Sequence, residues 1–63
     1  MTKFQQAYTE VAKFQPPSMS SNPQAITATL QSHYDAVALH RRLARMGIES
    51  ELIRPNLINV YLD

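Results

Sequence analysis

Ser32-His33-Tyr34-Asp35 carries the three side-chain types of a hydrolytic triad inside one short stretch. A nucleophile, a base and an orienting carboxylate work only when separate chain segments bring them into line. Neighbours within a single helical turn diverge too widely for that. The same letters read well as the start of a helix, with Ser32 as N-cap and Asp35 in the positive field of the N-terminus. His33 and His40 lie two helical turns apart, about 10 Å, too far to share a metal. Glu49 and Glu51 fall on one side of a strand, where charges commonly guard a sheet edge. Gly47 is the sole glycine, so a glycine-rich phosphate loop is excluded. The chain has no cysteine, which excludes disulfides and cysteine-ligated zinc. These residues predict no enzyme, no cofactor and no metal site.

Binding chemistry is left. Arg41, Arg42 and Arg45, joined by Arg54, concentrate four of the six basic residues in the second half of the chain. Such a cluster forms a solvated helix face or a contact for an acidic protein surface or a nucleic-acid backbone. Six basic and five acidic residues give a net charge of only +1, which supplies no compositional argument for a polyanionic partner. No aromatic residue is interleaved with these arginines in sequence, which weakens single-strand binding. Arg41, Arg42 and Arg45 are therefore the candidates for anion or nucleic-acid contact, and a protein partner is preferred to nucleic acid.

The elements that position these residues follow from hydrophobic periodicity. Phe4, Ala7, Tyr8, Val11 and Phe14 recur at helical spacing, predicting an amphipathic N-terminal helix over residues 1–15 that Thr2 caps and Pro16-Pro17 ends. Residues 16–24, rich in proline and serine, read as a linker. Ile26-Thr27-Ala28-Thr29-Leu30 alternates as a half-buried strand does. Ala36, Leu39, Leu43 and Met46 mark the inner stripe of a second helix, closed by Gly47. Strand patterning returns from Ile48, with Pro55-Asn56 at a hairpin turn.

The expected fold is α+β: an N-terminal helix plus a small two-layer β-α-β-β unit over residues 25–63, a single domain overall. Its expected core joins Ile26, Ala28 and Leu30 to Ala36, Leu39, Leu43, Met46, Ile48, Leu52, Ile58, Val60 and Leu62. The other sheet face would carry Thr27, Thr29, Ile53, Leu57 and Tyr61, too apolar to leave fully in water. Either the N-terminal helix or a second subunit is expected to cover it. A rival reading makes residues 22–30 a helix and the arginine-bearing helix a recognition helix, giving a winged-helix-like DNA-binding regulator. Ile-Thr-Ala-Thr favours a strand over that helix.

A core this small is usually reinforced by self-association where disulfides and metals are excluded. A homodimer is therefore expected, with Phe4, Tyr8, Val11 and Tyr61 as partner-binding residues. No stretch approaches the ~18 apolar residues of a membrane span. Met1 to Gln6 has no apolar run that could serve as a signal-peptide core. The expected location is the cytoplasm, with no membrane partner.

Ser32-x-x-Asp35-Ala36, Leu43, Gly47-Ile48 and Ile53-x-Pro55 resemble small β-α-β proteins assigned as sulfur or selenium carriers. The resemblance spans about half the chain, but that family's reactive cysteine has no counterpart here, so no carrier chemistry transfers. Separately, Val11-Ala12-Lys13-Phe14, followed by Pro17, Met19, Ser20 and Pro23, is similar to the start of short early proteins of lambdoid phages. Those proteins are encoded between the recombination exonuclease and excisionase genes. This second resemblance implies a non-enzymatic accessory protein in the cytoplasm of a bacterial host, acting on the host or on the choice between lysis and lysogeny.

Overall fold

The computed structural model describes residues 2–62. Its elements run α1 (Lys3–Lys13), β1 (Ser18–Asn22), β2 (Ala25–Thr29), α2 (His33–Arg45), β3 (Glu49–Arg54) and β4 (Leu57–Tyr61). The four strands form one antiparallel sheet in the order β1-β2-β4-β3. Because β4 inserts between β2 and β3, those two run parallel, bridged by α2. The α+β class and the β-α-β-β unit expected from periodicity are both present.

Each helix begins where a side chain can satisfy its free amides. Thr2 and Gln5 form a full capping box, the Thr2 hydroxyl accepting from Gln5 N at 3.1 Å and Gln5 Oε1 from Thr2 N at 3.0 Å. Ser32 Oγ accepts from Asp35 N at 3.1 Å. Both helices lie on one face of the sheet and share one core with it. Ala7 and Val11 of α1, Ala36, Leu39 and Leu43 of α2, and Ile26, Ala28, Leu30, Ile48, Ile58 and Val60 make up that core.

Four readings need correction. Residues 16–24 are not a plain linker, because Ser18–Asn22 forms β1 and pairs with β2 along its whole length. Prolines flank that strand without interrupting it. Asn22 makes the turn, its Oδ1 accepting from Gln24 N at 2.8 Å and Ala25 N at 2.9 Å. Met46 is not core but 38% exposed, since α2 ends at Arg45 and Met46 is its C-cap. The winged-helix alternative fails because Ala25–Thr29 is a strand at the centre of the sheet. Nor does α1 cover the second sheet face, since it packs beside α2. That face stays open, its central rows being Ser18–Thr29–Leu57–Arg54, Ser20–Thr27–Asn59–Glu51 and Asn22–Ala25–Tyr61–Glu49.

The order α-β-β occurs twice, and the two copies are related by an approximate two-fold axis through the sheet. Thr27 pairs with Asn59 at the centre of the β2–β4 ladder, 32 residues away, and Thr27 Oγ1 donates to Asn59 Oδ1 at 2.5 Å. The same offset of 32 relates Pro23 to Pro55, Ile26 to Ile58, Ala28 to Val60 and Leu30 to Leu62. It also relates a pair of backbone bonds, Leu30 N to Asn56 O at 2.7 Å and Leu62 N to Gln24 O at 3.0 Å. Ala7 and Val11 correspond to Leu39 and Leu43, all four fully buried.

Both helices end in a left-handed residue, Gln15 at φ 50° and Gly47 at φ 77°. Glycine takes this conformation freely, whereas a side chain adds roughly 1–2 kcal/mol of strain. A Cβ at Gly47 would meet nothing within 4 Å, so only the backbone opposes a substitution there. Gly47→Ala should therefore destabilise by about 1 kcal/mol, while Gln15→Gly should stabilise by about 0.5 kcal/mol. Urea denaturation midpoints shifting in the same direction for the two variants would contradict this account.

Candidate functional site

The triad letters at the start of α2 are used for structure. Ser32 caps the helix, and His33 Nδ1–H donates to the Pro55 carbonyl at 2.6 Å, tying α2 to the β3–β4 turn. A second serine–histidine pair stands at the other end of α2, with His40 Nδ1 2.6 Å from Ser50 Oγ. It borders an open depression of about 520 Å³ that Glu49, Gly47 and Tyr61 also line. Among the described residues no carboxylate hydrogen-bonds to the second His40 nitrogen, so the pair has no orienting group of the triad kind. It fastens helix to strand. Among the described residues, no three histidine, aspartate or glutamate side chains gather where a metal could sit. No helix there is long and apolar enough to cross a membrane.

The three candidate arginines have different roles. Arg42 turns toward α1, where its Nε donates to Glu10 Oε1 at 2.7 Å, while Lys13 Nζ donates to Glu10 Oε2 at 2.9 Å. The Glu10 side chain is only 9% exposed. Donation from Lys13, then from Arg42, holds its carboxyl below the usual carboxylate range, outweighing the opposing effect of burial. Arg41 and Arg45 instead point outward from α2 and are exposed.

Two turns before Arg41, at the start of the same helix, stands Tyr34, 81% exposed. Spacing of three and four residues puts Tyr34, Ala38, Arg41 and Arg45 on one stripe of the helix. With Val37 and Arg42 they line a shallow groove of about 230 Å³. Tyr34 was legible as a candidate from its position two turns before Arg41, but linear neighbourhood does not show it. The aromatic that sequence order keeps apart from the arginines is brought to them by the helix.

The expected partner-binding residues divide between two surfaces. Phe4 is half-buried and Tyr8 is 43% exposed, their rings stacked with centroids 5.8 Å apart on the helical layer. Val11 is fully buried in the core and offers no surface. Tyr61 stands on the open sheet face, its hydroxyl donating to Glu51 Oε1 at 2.8 Å. Charge divides in the same way. Five of the six basic residues are on the helices, whereas Glu49 and Glu51 are on the open sheet face. The sixth, Arg54, shares the open face with them, so the excess of positive charge lies on the helical layer.

No protein-family model matches the chain, and no curated protein or solved structure matches it.

Glu10 yields a pH prediction. A carboxyl whose folded pKa is depressed adds stability above its unfolded pKa, and that stability disappears as pH falls through the folded value. With an ordinary value of 4.5, the loss begins near pH 4.5 and completes below it. Glu10→Gln should lower stability at neutral pH by about 1–2 kcal/mol and flatten this part of the acid dependence. Equal acid sensitivity in both proteins would show that Glu10 does not contribute in this way. Arg42→Ala should be less than additive with Glu10→Gln in a double-mutant cycle.

Proposed function

We propose that this is a small, non-enzymatic binding protein that regulates a protein partner through the outer face of α2. The observation that carries this reading is Tyr34, left 81% in water at one end of a groove that two outward arginines also line, on a helix whose inner face is fully packed. A tyrosine so exposed adds little to folding. Tyrosine and arginine are, however, the side chains most often found as energetic centres of protein interfaces. Val37 and Ala38 supply an apolar floor, and Arg41 and Arg45 set the sign. The matching partner surface is acidic with an apolar centre. The likeness of residues 11–23 to early lambdoid-phage proteins supports an accessory role of this kind in a bacterial cytoplasm.

A second reading has a specific support in the same groove. Tyr34 beside Arg41 and Arg45 offers one stacking platform with two phosphate contacts, the elements of a nucleic-acid backbone site. It would not be a winged-helix site, given the strand at Ala25–Thr29. Protein is preferred because Arg42 is engaged by Glu10 and only two outward arginines are left on the stripe.

The test compares wild type with Tyr34→Ala/Arg41→Ala/Arg45→Ala, whose side chains lie outside the core. A protein captured from bacterial lysate by wild type should be lost on the triple variant, the affinity falling by at least about 2 kcal/mol, or roughly thirtyfold. Generic duplex DNA titrated at about 50 and 200 mM salt separates the second reading, because phosphate contacts weaken steeply with salt. Micromolar, salt-sensitive duplex binding that the triple variant loses would overturn the preference for protein.

A further inference from the structure

β1 and β3 occupy equivalent places at the two edges of the sheet, yet only β3 is protected. Its side chains include Glu49, Glu51 and Arg54, and a bulge between Leu52 and Arg54 breaks its register and turns Ile53 out to 51% exposure. Charges and bulges are the usual means of preventing another strand from adding to an edge. β1 has neither. Ser18-Met19-Ser20-Ser21-Asn22 is uncharged, and its five residues pair with β2 in unbroken register. On its outer side, the amide and carbonyl groups of alternate residues face away from the sheet.

From this asymmetry we infer that β1 is a docking edge for a second copy of the chain. The two β1 strands pair antiparallel about a two-fold axis at Ser20, making one continuous eight-stranded sheet. This surface is separate from the α2 groove, so the inference stands whether or not the proposed function does.

Self-pairing suits β1 and not β3. With the axis at Ser20, Ser18 faces the partner's Asn22 and Ser20 faces the partner's Ser20. All are small and neutral, and all five residues find a mate. Around Glu51 the same operation on β3 would set glutamate against glutamate, a destabilising pair.

The helical layer fits as well. Strands lie about 4.8 Å apart and packed helices about 8–10 Å apart, so one helix covers two strands. Placing the partner's β1 beside β1 therefore brings the partner's α1 beside α1. On α1, Glu10 faces α2 through its bond to Arg42. Tyr8, two positions earlier, lies about 200° round the helix from it. The exposed Tyr8 is thus on the flank that the second copy would meet. One contact would bury an unguarded edge and an exposed aromatic together.

Sedimentation equilibrium from micromolar to millimolar concentration tests the inference, with circular dichroism confirming that each variant folds. Wild type should show a reversible monomer–dimer equilibrium. Ser20→Glu copies the guard of β3 and should weaken it by at least about tenfold, since like charges would meet on the axis. An equimolar mixture of Ser20→Glu and Ser20→Lys should regain the dimer, which a merely misfolded variant would not do. A second measurement uses the absence of native cysteine. Ser20→Cys should form a covalent dimer with oxidised glutathione, whereas Ser18→Cys should do so efficiently only when mixed with Asn22→Cys. A wild type that stays monomeric throughout overturns the inference. So does a dimer insensitive to Ser20→Glu but lost on Tyr61→Asp, which would locate the contact on the open sheet face.

Discussion

Everything in this fold depends on the pairing of β2 with β4. These two strands meet across 32 residues of chain, and neither helix has a complete surface to pack on until they do. Their inner side chains, Ile26, Ala28, Ile58 and Val60, are all fully buried, and they form the floor on which α1 and α2 rest. Two symmetry-related backbone bonds, from Leu30 N and from Leu62 N, fasten the ends of the pair to the opposite turns. The cost is closure of a long loop, met before any of that apolar contact is gained. The hairpins β1–β2 and β3–β4 form locally, but each leaves one face and one edge unsatisfied without the other.

The second level of organisation is electrostatic. Glu10 is nearly buried between the helices and cannot remain a bare carboxylate there, so it takes a cation from its own helix and one from α2. Arg42 is tied to α1 through its Nε by this requirement, while Arg41 and Arg45 follow Tyr34 along the outer stripe of α2. The requirements of packing thus decide which member of the arginine cluster is committed to an internal ion pair. A count of basic residues in the sequence cannot make that distinction. Five of the six lysines and arginines also lie on the helices, while the open face carries Glu49 and Glu51 with Arg54.

How much of this was legible in the sequence differs by element. The helix α2 was plain, because Ser32, the stripe Ala36–Leu39–Leu43 and Gly47 all agree on it. So were β2 and the β3–β4 hairpin, where alternation is strong and Pro55-Asn56 marks the turn. β1 was hidden because Ser, Met and Asn have no strong strand preference, and the strand is held by its pairing with β2 rather than by propensity. Met46 continued the apolar spacing of the inner stripe, but spacing does not show that the helix stops one residue short of it. The side of the sheet on which α1 lands depends on tertiary packing, and its amphipathic pattern suits either face. Tyr34 was visible as a letter and invisible as a neighbour of Arg45. The α-β-β repeat is faint in the sequence because only some core and turn positions match, Lys3 standing opposite Asp35 and Glu10 opposite Arg42, and the bulge in β3 shifts the register of its edge.

The repeat has a consequence for how the two halves can change. Joined by the short segment around Gln31, they meet at the effective concentration of an intramolecular reaction, so their union does not depend on dilution as that of two free chains would. In an assembly of identical halves, every substitution appears twice, and a charge near the axis confronts its own copy. A linked chain is free of that restriction, because each substitution appears once. The first half here keeps a neutral edge strand, while the second carries the guarding glutamates and the arginine-lined helix. Covalent linkage allows a nearly symmetric framework to hold a division of labour.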